Sequence, residues 1–347
     1  MQKNRIAVIF GGHSTEYEVS LQSAFSILKN LNVEKYDIVP IGITQQGNWY
    51  HYSGNFNKIP NNTWIEDSSN LIPVVVSQNR TTGGIIEFVQ GESRVIKLNF
   101  AFPVLHGRYG EDGTVQGLFE LAGIPVIGCN MLSSALCMDK DMAHRLVCAA
   151  GIAVPKSMVF KQPVNYELLK KSSELTYPLF VKPVRAGSSF GITKIYNETE
   201  LQQAVDAAFE HDDAVIIEEN IPGFEVGCAV LGIDDLMIGK VDEIELTDGF
   251  FDYTEKYTLK TSKIYMPARI DSACEKRIQE TAETIYKTLG CSGFARVDMF
   301  LKPNGEIVFN EVNTIPGFTS HSRYPNMMKG IGMSFEEILD KLIGLYK

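Results

Sequence analysis

Gly293-Phe-Ala-Arg296-Val-Asp298-Met-Phe300-Leu-Lys-Pro303-Asn-Gly305-Glu-Ile-Val-Phe-Asn-Glu311-Val-Asn313 is the stretch from which the rest of the chain is read. Phe294 to Leu301 is β-branched, aromatic and alternating, Pro303-Asn304-Gly305 is turn chemistry, and Glu306 to Val312 resumes the alternation. The pattern predicts two strands of a hairpin. Glu311 and Asn313, two residues apart, share a side of the second strand. Asp298 stands between Val297 and Met299-Phe300, where a carboxylate without a partner is costly. Folded back, the hairpin gathers two carboxylates and an amide oxygen. These are hard donors that suit Mg²⁺ better than Zn²⁺, and few of them suffice when nucleotide phosphates complete the shell. Arg296 lies on the same face as Asp298, a fixed cation for developing negative charge.

The 347 residues exceed one ordinary core and predict two or three domains. With 44% apolar and 21% charged residues the composition is that of a soluble globular protein. A net charge of −10 and the lack of a dense Lys/Arg tract speak against a nucleic-acid surface. No apolar run is long enough to span a bilayer, and the N-terminus enters a strand without a signal-peptide pattern, so a cytoplasmic, non-membrane protein is expected. The six cysteines form no CxxC pair or disulfide framework and read as reduced thiols.

Arg5–Phe10, then Gly11-Gly12-His13-Ser14-Thr15-Glu16, then a helical pattern to Leu28 predicts the opening of a βαβ unit, with Ser14 as a helix cap. The GxGxxG spacing is missing, which excludes a nicotinamide-binding fingerprint. Residues 51–93 read as a loop or hairpin insertion. His106-Gly-Arg-Tyr-Gly110-Glu-Asp-Gly113 follows a strand and is dense in glycine and charge, as ligand loops at strand ends are. Ser133–Ala150 reads as one helix carrying Asp139-Lys140. Gly151–Pro155 reads as a hinge. Lys182 ends the strand Pro178–Pro183 and precedes Gly187-Ser188-Ser189-Phe190-Gly191, whose N–H groups and hydroxyls suit phosphate oxygens. Ala214–Glu219 is a strand ending in two acids; taken alone, Glu218 and Glu219 read as a solvated end.

Together these elements resemble the ATP-grasp ligases, specifically the D-alanine–D-alanine ligase family and its vancomycin-resistance relatives. The resemblance rests on Gly11-Gly12-x-Ser14-x-Glu16-x-Glu18-Val19-Ser20, His106-Gly107-x-x-Gly110-Glu111-Asp112-Gly113, Met138-Asp139-Lys140, Lys182-Pro183 with Gly187-Ser188-Ser189, Glu255-Lys256-Tyr257, Arg296-Val297-Asp298, and Glu311-Val312-Asn313-Thr314 with Pro316-Gly317. It spans essentially the whole chain. It implies a mixed α/β ATP-grasp fold in three subdomains (1–128, 129–220 and 221–347), with ATP between the central and C-terminal ones. Lys140 and Lys182 would hold phosphates under a Ser188-Ser189 flap. Glu218, Glu219, Ile221 and Glu225 would take adenine and ribose between Phe180, Phe250 and Phe300. Asp298, Glu311 and Asn313 would bind two Mg²⁺ ions, or Mn²⁺ in their place. Glu16 would bind the ammonium of the first D-alanine and link through Ser188 to Tyr257 on a closing loop, with Lys256 near the γ-phosphate. Arg296 and the Gly317 N–H would face the oxyanion, and His106 and Ser322 would line the substrate side. A homodimer is implied as well.

One departure from the family pattern bears on the substrate. Ligases that make D-alanyl-D-alanine carry a leucine after the Ser-His-Ser run, and here it is Arg323. A guanidinium suits an acceptor with a hydroxyl, and Asp242 is a candidate partner for it. D-lactate-using ligases replace the Lys-Tyr pair that this chain keeps as Lys256-Tyr257, so an amine acceptor is expected. The combination resembles the D-alanine–D-serine ligases of vancomycin resistance, the VanG type in particular. The alternatives are a second D-alanine as acceptor or, more remotely, a non-catalytic ATP-binding regulator.

Overall fold

The computed structural model describes residues 3–162, 175–187, 190–246 and 262–347. Among these the strands form three sheets. The first is built on β1 (Asn4–Gly11), parallel to β2 (Tyr36–Ile43) and β7 (Phe100–Pro103), with α1 (Tyr17–Asn30) as the crossover. Ile6 to Phe10 are completely buried because both faces of β1 are covered. Ile6, Val8 and Phe10 join the core that holds α1, while Ala7 and Ile9 join the core under α2 (Thr114–Ala122).

Residues 51–93 are more ordered than a loop or single hairpin. β3 (Trp49–Tyr52), β4 (Leu71–Val76), β5 (Gly84–Val89) and β6 (Glu92–Lys97) extend the sheet antiparallel, in the order β6-β5-β4-β3-β2-β1-β7. Polar residues conceal their pattern, because Glu87 is buried between His51 and Arg94. The helix expected over 133–150 is two helices, α3 (Met131–Met138) and α4 (Lys140–Ala149). Asp139 breaks it in an extended conformation, φ −85° and ψ 101°, and its carboxylate caps α4 by accepting from the Met142 N–H at 3.0 Å. Lys140 thereby becomes the first residue of a new helix.

The second sheet is antiparallel, β10-β9-β11-β8: β8 (Ser157–Lys161), β9 (Leu179–Pro183), β10 (Thr193–Ile195) and β11 (Ala214–Glu219). It packs on α5 (Leu201–Phe209). The third, also antiparallel, is β14-β13-β12-β15-β16: β12 (Phe224–Gly232), β13 (Met237–Leu246), β14 (Ser262–Tyr265), β15 (Gly293–Leu301) and β16 (Ile307–Asn313). One face of β15, Ala295, Val297 and Met299, packs with α6 (Ser272–Thr288). The chain closes with α7 (Arg323–Lys329) and α8 (Phe335–Gly344), whose Ile338, Leu342 and Ile343 share a core with α1. None of the helices among the described residues is long and apolar enough to cross a membrane.

Phe294 joins the two ends of the chain. Its ring meets Phe102 of β7 at 6.0 Å, Phe318 at 5.8 Å and Tyr324 at 5.6 Å, all edge to face. Phe294→Ala removes a fully buried ring at this junction and is expected to cost about 3–5 kcal/mol. The readout is the thermal midpoint, and an unchanged midpoint would show that the junction is held elsewhere.

Candidate functional site

The hairpin forms, with one detail that alternation did not reveal. At its tip Met299 pairs with Phe309, but Asp298 pairs with Glu311, so Asn310 is the extra residue of a β-bulge. Continued without the slip, the register would place Glu311 opposite Val297, on the core side. The bulge turns Glu311 to the face of Asp298 and leaves Phe309 and Val312 in the core. The sequence signal is the three-residue spacing of those two apolar residues.

Asp298 is buried and well partnered. Arg296 donates to it from Nε at 2.8 Å and from Nη2 at 2.7 Å, the Asn313 amide donates at 2.9 Å, and Arg323 Nη2 lies 3.4 Å away. The donor set is two carboxylates and an amide, which fits a hard divalent cation.

A cavity of about 740 Å³ opens beside the hairpin, lined by Glu16, His106, Glu111, Lys140, Arg296, Glu311, Asn313, Gly317, Ser322 and Arg323 among others. Glu16 precedes the first turn of α1, nearly buried. A Cβ at Gly107 would stand 2.4 Å from its Oε2 and one at Gly187 would stand 2.8 Å away, so two glycine loops close on this carboxylate. Ser14 does not cap the helix. Its hydroxyl donates to the His106 carbonyl at 2.8 Å and accepts from the Glu16 N–H at 3.0 Å, tying the two loops together. His106 faces Ser23 Oγ at 3.2 Å, and burial, aided by the Arg296 charge, pushes its pKa down to about 4. Glu111, absent from the expected site, accepts from the N–H groups of Gly107 at 2.8 Å and Ile315 at 3.2 Å. Burial and the neighbouring Glu16 push its pKa up to about 8.

Arg323 begins α7 and points inward. Its Nε and Nη2 donate to Asp242 at 2.7 and 2.8 Å, and its Nη1 donates to Glu225 at 3.1 Å. Burial disfavours the charge, but Asp242 and Asp298 outweigh it and hold the guanidinium protonated. Gly227 makes room for this knot: a Cβ there would meet Arg323 Nη2 at 2.3 Å, Asp242 Oδ1 at 2.7 Å and Asp298 Oδ1 at 2.9 Å. Sequence reading missed Gly227, because nothing local marks a glycine at which three distant charges converge.

On the opposite side Lys182 donates to Glu218 at 2.6 Å. Glu218 is not the solvated strand end that its position suggests: it is 2% exposed, and Lys182 together with His144 outweighs the burial cost and holds its pKa below the usual value. Glu219 accepts from the Lys156 N–H at 2.9 Å, and Ile221 is partly buried. Lys140 Nζ donates to the Ala186 carbonyl at 2.8 Å and lies 4.0 Å from Glu311. Phe180 pairs opposite Glu218 on the second sheet and Phe300 opposite Glu225 on the third. Glu225, expected at the nucleotide, accepts from Arg323 Nη1 at 3.1 Å. Ser188, Ser189, Phe250, Lys256 and Tyr257 lie outside the described residues.

Residues 5–129 match the family model described as D-ala D-ala ligase N-terminus, and residues 146–344 match D-ala D-ala ligase C-terminus. The crystal structure of the VanG D-Ala:D-Ser ligase from Enterococcus faecalis superimposes with a TM-score of 0.94 at 69% identity, covering all of both chains. The D-alanine-D-alanine ligase of Coxiella burnetii gives a TM-score of 0.87 at 32% identity, over 100% of this chain and 94% of that one. The vancomycin B-type resistance protein VanB of Enterococcus faecalis is 47% identical over 350 aligned residues, 99% of each chain.

The buried neutral ring of His106 carries a stability signature. Its pKa is about 4 in the fold against 6.5 unfolded, so the unfolded chain binds the proton first. The His106 contribution is intact above pH 6.5 and is lost as the pH falls towards 4. Glu111, raised to about 8, acts in the opposite direction, losing its contribution as the pH rises from 4.5 to 8. The readout is therefore the difference in thermal midpoint between the native protein and His106→Gln across this acid range. Parallel pH curves for the two proteins would contradict a buried neutral imidazole.

Proposed function

The chain belongs to the D-alanine–D-alanine ligase family, ATP-dependent ligases of the ATP-grasp fold that use a divalent metal and D-amino acids, and from that premise we propose that it joins D-alanine to D-serine. The product would enter peptidoglycan precursors with lowered affinity for vancomycin. The observation that carries the acceptor choice is the buried Arg323–Asp242–Glu225 knot at the cavity wall. Three of the guanidinium's five N–H donors are engaged there, and Asp298 lies close to a fourth. Among the described residues one Nη1 hydrogen is left for an acceptor hydroxyl, directly or through a water. A methyl in its place would leave that buried donor without the hydroxyl partner, the kind of mismatch by which polar sites reject apolar analogues.

The mechanism follows from the arrangement of charge. Glu16 takes the ammonium of the first D-alanine, and Glu111 behind it holds the Gly107 and Ile315 N–H groups in place. Lys140 and Lys182 neutralise the ATP phosphates while the D-alanine carboxylate attacks the γ-phosphorus to form an acyl phosphate and release ADP. A divalent pair, Mg²⁺ in this reading, would be held by Asp298, Glu311 and Asn313 and would supply Lewis-acid neutralisation of the transferring phosphoryl group. The neutral D-serine amine then attacks the acyl carbon, the C–O bond to phosphate breaks, and the proton lost from nitrogen leaves with the phosphate. Arg296 and the Gly317 N–H stabilise the oxyanion. Because the acyl phosphate hydrolyses in water, the site must close during turnover; by family resemblance we assign Ser188, Tyr257 and Lys256 to that closure, and Ser189, Phe250, Phe180 and Phe300 to the nucleotide. The same reading makes the protein a cytoplasmic homodimer divided at 1–128, 129–220 and 221–347.

Asp298→Asn and Glu311→Gln are each expected to lower kcat at least about 100-fold with circular dichroism unchanged. Unaltered turnover in both would remove the metal assignment. Acceptor choice is tested by competition between D-serine and D-alanine in the presence of ATP, Mg²⁺ and donor D-alanine. D-alanyl-D-serine should predominate, and predominance of D-alanyl-D-alanine would favour the ordinary cell-wall ligase. Arg323→Leu should move the ratio of kcat/KM values towards D-alanine. The ratio is the right readout because this change strands Asp242 and Glu225 and costs stability, about 3–5 kcal/mol, whereas a ratio does not depend on the active fraction. A retained D-serine preference would place the choice elsewhere.

A further inference from the structure

His144 lies one turn after Lys140 on α4, 3% exposed, and no motif draws attention to it. Its Nε2 is 2.9 Å from the carbonyl oxygen of Asn310, the extra residue of the bulge that aims Glu311. Its Nδ1 faces Glu218 Oε1 at 3.6 Å. Among the described residues, those two facing atoms are buried and have no hydrogen-bond partner. The other oxygen of Glu218 accepts from Lys182 at 2.6 Å. The edge of the imidazole sits against Phe309, with centroids 5.5 Å apart and planes at 76°, which fixes the ring plane.

The proton count follows from the acceptors. A carbonyl oxygen only accepts, so Nε2 must carry hydrogen. With Nδ1 bare, a lone pair would face a carboxylate oxygen in a dry place and both groups would be unsatisfied. With a second proton, the contact becomes an ion pair. The charges around it are Glu218 from β11, Lys182 from β9 and Lys140 from the same helix, the last 4.0 Å from Glu311 of β16. Glu218 would then be held between a lysine and an imidazolium.

We propose that His144, protonated on both ring nitrogens, is a positioning residue that ties the nucleotide-side carboxylate Glu218 to the strand bulge presenting the metal-side carboxylate Glu311. The roles of Glu218 and Glu311 rest on the function proposed above. One ring sets the spacing between the phosphate-and-base end of the site and its metal end. It acts through Glu218 and Asn310 and touches no reacting atom.

Steady-state kinetics and calorimetric binding of Mg·ATP to the full-length enzyme test this together. His144→Gln keeps an N–H for the Asn310 carbonyl and loses the cation opposite Glu218. Its KM for ATP should rise about ten-fold, the lower end of what losing an outer support behind a ligating group costs, with kcat nearly unchanged. His144→Phe loses both contacts and should lower kcat as well. A purely structural histidine would lower the melting temperature and leave the KM for ATP where it was, and that result overturns the proposal. Wild-type protein that fails to bind Mg·ATP would instead overturn the nucleotide reading, and this inference with it. Should the variants not fold, ¹⁵N resonances of the wild-type imidazole near neutral pH still decide: two protonated ring nitrogens support the proposal, and a bare Nδ1 rejects it.

Discussion

The site depends on how one buried acid is neutralised. Asp298 is nearly inaccessible to solvent, and an isolated carboxylate there would cost several kcal/mol. The fold offsets that cost from three directions: Arg296 from the same strand, Asn313 from the neighbouring strand, and Arg323 from a helix after the hairpin. Arg323 brings Asp242 and Glu225 with it. Three carboxylates against two guanidiniums leave one negative charge unbalanced before Glu311 is counted. A cluster built this way is held together by charge and still attracts a cation. The hairpin acid Asp298 and the inward-facing Arg323 are therefore parts of one electrostatic network, and a change in either propagates to the other.

Glycines place the segments around that network. Gly107 and Gly187 bring two loops against Glu16, and Gly227 lets guanidinium and carboxylates converge over a strand. In each case the side chain that alanine would add occupies space already taken by a functional oxygen or nitrogen. The apolar junction at Phe294 does the complementary work. It packs β15 of the third sheet against β7 of the first, so the hairpin bearing the acids and the loop bearing His106 belong to one continuous core.

Much of this was legible along the chain, for identifiable reasons. The βαβ opening shows because a strand buried on both faces must be continuously apolar. The hairpin shows because one face alternates with the other and Pro303-Asn304-Gly305 has few other uses. Arg323 stands out because it replaces an apolar residue within an otherwise familiar run. Other features were hidden for equally specific reasons. The strands in 51–93 carry a buried Glu87 that interrupts the apolar pattern, and its partners His51 and Arg94 lie on different strands. The helix break at Asp139 needs only one extended residue. The bulge at Asn310 alters register without altering composition.

The sequence by itself determined most of the elements and the chemical inventory: the acids, the lysines, the glycine loops and the two arginines, Arg296 and Arg323, that make an ATP-dependent ligase intelligible. Those are local properties, set by side-chain type and period. The tertiary structure alone decided which charges meet. Glu218 is buried between Lys182 and His144, Asp242 closes on Arg323 across 81 positions, and Glu311 faces Asp298 because one residue bulges. Electrostatic energy depends on distance and burial, and neither is defined until separate strands and helices have packed.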